Sequence, residues 1–122
     1  MADVNPCDSC SGSVQHSSNL TNNSDVPWTV FINNDQVCVH FMNGASTNVS
    51  ANPWVEDSES NGPLSDTNYW IAVPPNGELS VCFSNFGLRA DQASPRTECI
   101  LHTAIRNDDN ASEGVEISHE VY

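Results

Sequence analysis

The chain has 122 residues, and its sixteen acids face three arginines and no lysine, for a formal charge of −13. Nucleic acid and anionic bilayers are held by Lys and Arg that displace counterions, so both are excluded as partners. What is left is copies of itself and other structural subunits, carbohydrate, neutral lipid, and bound cations.

Hydrophobic residues make up 38% of the chain. That predicts one domain with a thin core and generous loops. No apolar run approaches the length of a membrane helix. The opening Met1–Pro6 has neither a basic nor an apolar leader region, which predicts synthesis in a cytosol.

Residues 1–26 carry only Val4, Val14, Leu20 and Val26 for burial. This composition predicts an extended polar N-terminal arm, followed by a folded domain over 27–122. Such an arm needs a neighbouring subunit to order it, which makes Cys7, Cys10, Val14 and Leu20 candidate contact residues. Cys7-Asp8-Ser9-Cys10 is a CxxC. Redox use of that motif needs a helix N-terminus or nearby cations to stabilise the thiolate. The arm has neither, and Asp3 and Asp8 work the other way. The expected role is structural: a local disulfide, a bond between chains, or half a metal site, in that order before metal.

From Trp28 the pattern becomes period two. Trp28, Val30 and Ile32 alternate with Thr29 and Phe31. After Asn33-Asn34-Asp35, Val37, Val39 and Phe41 point one way, and Cys38, His40 and Met42 the other. These are half-buried strands joined by a turn. A weaker run covers Thr47 to Val55, and an acidic loop covers 56–67. Tyr69, Ile71 and Val73 alternate with Trp70 and Ala72. Pro74-Pro75-Asn76-Gly77 must turn. Leu79, Val81 and Phe83 follow, then Cys99, Leu101, Thr103 and Ile105, and a last short strand at Val115 and Ile117. The prediction is an all-β fold, a single antiparallel β-sandwich of six to eight short strands, jelly-roll or Ig-like. Its expected core includes Val30, Ile32, Val37, Val39, Phe41, Ile71, Val73, Val81, Phe83 and Leu101.

Five cysteines cannot all pair within one chain. Zinc asks for four N or S ligands. Beside Cys7 and Cys10, the candidates are Cys38 with His40 on one strand face, and Cys99 three residues before His102. The competing reading makes Cys38, Cys82 and Cys99 small buried core thiols. Asp57, Glu59 and Asn61 place oxygen ligands at alternate positions before Gly62, like the start of a calcium loop, but no Glu closes it at the twelfth position. Neither ion is expected as a resident cofactor. Sequons begin at Asn19, Asn22, Asn48 and Asn110. Trp54, between Pro53 and the acidic loop, is a candidate for sugar stacking or an interface. No nucleophile elbow, phosphate loop or H-E-x-x-H is present, so no enzyme is expected.

The stretch Ile71-Ala72-Val73-Pro74-Pro75-Asn76-Gly77-Glu78-Leu79-Ser80-Val81-Cys82 resembles a strand–turn–strand of the aegerolysins, as does Trp28 to Asn33. The resemblance covers about a third of the chain. It implies a small acidic β-sandwich that binds membrane lipid. The family's later Trp- and Cys-containing segment has no counterpart after Ile105.

Taken together, the residues lead first to a non-enzymatic structural protein that acts through subunit contacts. The expected setting is a virion or extracellular assembly, as a capsid decoration or a tail or fibre subunit. The alternatives are an aegerolysin-like or lectin-like module for lipid or carbohydrate, and a Cys/His metal-binding protein.

Overall fold

The computed structural model describes residues 2–7, 14–20, 24–32, 36–44, 46–58, 62–86, 97–107 and 115–120. They form nine strands: β1 (Asp3–Cys7), β2 (Val14–Leu20), β3 (Ser24–Ile32), β4 (Gln36–Asn43), β5 (Val49–Asp57), β6 (Ile71–Val73), β7 (Glu78–Ser84), β8 (Thr97–Asn107) and β9 (Val115–Glu120). No helix occurs among the described residues. Two antiparallel sheets, ordered β1-β7-β4-β9-β2 and β3-β8-β5-β6, make a β-sandwich.

The pairing is nested. β2 pairs with β9, β3 with β8, β4 with β7 and β5 with β6, all antiparallel. The chain from β2 to β9 is thus one long hairpin, rolled so that successive strand pairs fall in alternate sheets. Contacts of β4 with β9 and of β5 with β8 join the pairs within each sheet. This is the jelly-roll arrangement rather than the Ig-like one. β1 stands outside the rolled hairpin and adds to it by pairing with β7.

Residues 1–26, which read as an arm, contain β1, β2 and the start of β3, paired with β7, β9 and β8. The physical reason is that a ladder is made of backbone N–H and C=O groups, which polar residues supply as well as apolar ones.

The core lies between the sheets. One sheet contributes Val37, Val39, Phe41, Val81 and Phe83, and the other Val30, Val49, Ala51, Val55, Val73, Cys99, Leu101 and Ile105. Eight of the ten expected core positions are buried. Ile71 is partly buried against the cluster, and the side chain of Ile32 lies outside the described residues. β6 is short because Pro74 and Pro75 follow it. Gly77 N–H donates to Pro74 C=O across that turn, and Asn76 takes φ +53°. A Cβ on Gly77 would lie 2.9 Å from the Pro74 carbonyl, so only glycine fits. Buried Asn43 ties this turn to β4, its amide donating to the carbonyls of Thr47, Val73 and Pro74.

Candidate functional site

On the outer face of the five-stranded sheet, β7 lies between β1 and β4. The register places Cys38 opposite Cys82, which is opposite Asn5, and His40 opposite Ser80, which is opposite Cys7. Val37, Val39, Val81 and Phe83 face inward, so the strand period turns Cys38, His40, Ser80 and Cys82 outward.

Cys7 and Cys82 form a disulfide with a Cα–Cα separation of 5.9 Å, across 75 residues. Cys38 is likewise disulfide-bonded. Its Sγ lies 3.4 Å from that of Cys82 and 3.7 Å from that of Cys7. Three sulfurs therefore gather on three adjacent strands. Two readings change here. Cys7 pairs across the sheet and not with Cys10, which lies outside the described residues. Cys38 and Cys82 are half-buried on an outer face, not core thiols, because they fall out of register with the valines beside them.

His40 Nδ1 is 2.7 Å from Ser80 Oγ, and its Nε2 is 3.6 Å from Glu78 Oε1. The order Ser–His–Glu is that of a nucleophile, base and acid. However, Ser80 is 2% exposed, packed between His40 and Cys7. β7 pairs on both sides, so its amides are spent in ladders and are not aimed at an oxyanion. The arrangement is a packed polar row.

The four-stranded sheet carries a second cluster on its outer face. Trp54 and His102 sit opposite each other on β5 and β8, their rings stacked 4.0 Å apart at 7°. His102 Nε2 lies 2.7 Å from Glu56 Oε1. Trp54 is half-buried, an aromatic plate backed by a ring that a carboxylate orients. Beyond it, Arg106 lies 4.9 Å from the Trp70 ring.

Cys99 faces the core from the other side of β8 and is a free thiol. Burial, and then the carboxylates of Asp57 and Glu98, push its pKa from 9.0 up to about 12. Cys99 and His102 do not converge on one ion, since three residues along a strand are on opposite faces. Asp57 is buried as the cross-strand partner of Cys99, while Glu59 and Asn61 lie outside the described residues. Val14 and Leu20 are the two ends of β2.

Ser80, Glu78 and Glu56 were not singled out from the sequence. Parity was the available signal for Cys82 and Ser80: both alternate with Val81. Their neighbours across the sheet come from register between distant strands. No family model matches this chain, nor does any curated protein or solved structure.

Proposed function

We propose that this chain is a non-enzymatic structural protein that works by packing against copies of itself and other subunits, in a virion or a comparable extracellular particle. The observation that carries the reading is the strand order: a jelly roll is an architecture of capsid shells, shared with lectin domains. The step from fold to function is an analogy.

The sheet edges indicate how such contacts form. Among the described residues, the outermost strands of the two sheets are β1, β2, β3 and β6. β1 contains Pro6 and β3 contains Pro27. The β2 pairing has a register shift between Val14 and His16, and β6 is three residues long. Each device discourages open-ended strand addition. Contacts then fall to sheet faces, where side chains specify the partner, and half-buried Trp54 stacked on His102 is the aromatic candidate there.

Sedimentation velocity over a concentration series tests this. The expected result is a species heavier than one chain, shifted toward the single chain by Trp54→Ala. A single-chain mass at every concentration overturns the reading. The lectin-like alternative rests on Trp54 beside an acid-held His102; saturable binding of a neutral glycan, lost in Trp54→Ala, would favour it instead.

A further inference from the structure

We infer that Cys7, Cys38 and Cys82, once reduced, form a three-thiolate site for a soft or borderline metal ion such as Zn²⁺. The argument begins with the backbone. The three residues sit on adjacent strands β1, β4 and β7, whose ladders set their register. Their Sγ atoms all lie within 4.8 Å of one another. A tetrahedral zinc ion, with its sulfurs at about 2.3 Å, holds neighbouring sulfurs roughly 3.8 Å apart. Cys38 already stands 3.7 Å from Cys7 and 3.4 Å from Cys82. It flanks both sulfurs of the Cys7–Cys82 bond rather than lying in line beyond one of them. That is the third corner of a triangle, poorly placed for displacement along the S–S axis and well placed for a shared ion.

The chemistry balances with a phosphine reductant and water. Each disulfide takes up two electrons and two protons as one phosphine and one water become a phosphine oxide. The ion then displaces the three thiol protons, and its fourth position goes to a ligand outside these three. Oxidised and metal-bound states exclude each other, because the same sulfur electron pairs serve both. The overall charge of −13 favours cation uptake. Thiolate ligands select zinc and softer ions over magnesium or calcium.

The test uses the full chain in a non-chelating phosphine reductant, titrated with Cd²⁺ while thiolate-to-metal absorption and far-UV circular dichroism are recorded. The expected result is one ion per chain, displaced by Zn²⁺, with strand signal retained or restored, and no uptake by the oxidised protein. Cys38→Ser keeps the Cys7–Cys82 bond for folding under oxidising conditions. After reduction it should bind at least about tenfold more weakly, while Cys99→Ala, altered in the core and away from this face, binds like the parent. The inference is overturned by no uptake, by Cys38→Ser binding as tightly as the parent, by an equal loss in Cys99→Ala, or by a reduced chain that loses its strand signal and does not regain it with the ion.

Discussion

The two outer faces of the sandwich are built from similar parts and held in different ways. Each carries a histidine on a paired strand beside an oxygen partner, His40 with Ser80 and His102 with Glu56. On the five-stranded sheet the neighbours are cysteines, and a covalent bond ties β1 to β7. On the four-stranded sheet the neighbour is Trp54, and stacking and one hydrogen bond do the holding. The covalent face secures the one strand that the rolled hairpin does not include. The aromatic face lies over β5 and β8, already paired along nine residues.

Phe83→Ala sets the scale for this comparison, since Phe83 is buried beside Cys82 on β7 and packs near Phe86. Urea melts should show a loss of about 3–5 kcal/mol; a loss below about 1 would contradict its place in the core. Replacing Cys7 and Cys82 together by Ser should cost about 2–4 kcal/mol, because the bond closes a long loop of the unfolded chain. If the double variant melts like the parent, β1 is held by its ladder and the contrast between the faces disappears.

Cys99 sharpens the contrast from inside the second sheet. Below about pH 9 the thiol keeps its proton both folded and unfolded, and its contribution is constant. Between 9.0 and about 12 the unfolded chain releases the proton and the folded chain does not, so stability falls as pH rises through that window. The parent should lose more stability there than Cys99→Ala; parallel pH profiles would refute the assignment. In the native protein at pH 8, peptide mapping after iodoacetamide should find Cys99 unmodified. The smallest effect belongs to the aromatic face. Glu56→Gln should cost about 0.5–1.5 kcal/mol, and more than 3 would make this face as structural as the other.

Much of the fold was legible in the sequence. Alternation marked β3, β4, β7 and β8 and placed Val37, Val39, Phe41, Val81 and Phe83 on the inner face. β5 was read weakly because both of its faces are covered. Val49, Ala51 and Val55 point to the core, and Ser50 and Asn52 are buried on the other side, where Asn52 Nδ2 donates to Thr67 C=O. Burial on both faces erases the period of two on which a strand reading depends. Ser65 adds to this cover by accepting from the Val55 amide. For the candidate sites, parity showed that Cys38 and His40 share a face.

The sequence by itself determined the acidic charge, the all-β class and the inner faces of the main strands. These are sums over composition or consequences of a short local period. Only the tertiary structure decided that β1 and β2 join the sheet, that Cys7 bonds Cys82, and that Trp54 meets His102. Ladder hydrogen bonds involve the backbone, which carries no side-chain signature. Contacts between strands far apart in the chain depend on register, which is set when the whole hairpin rolls up around a shared core.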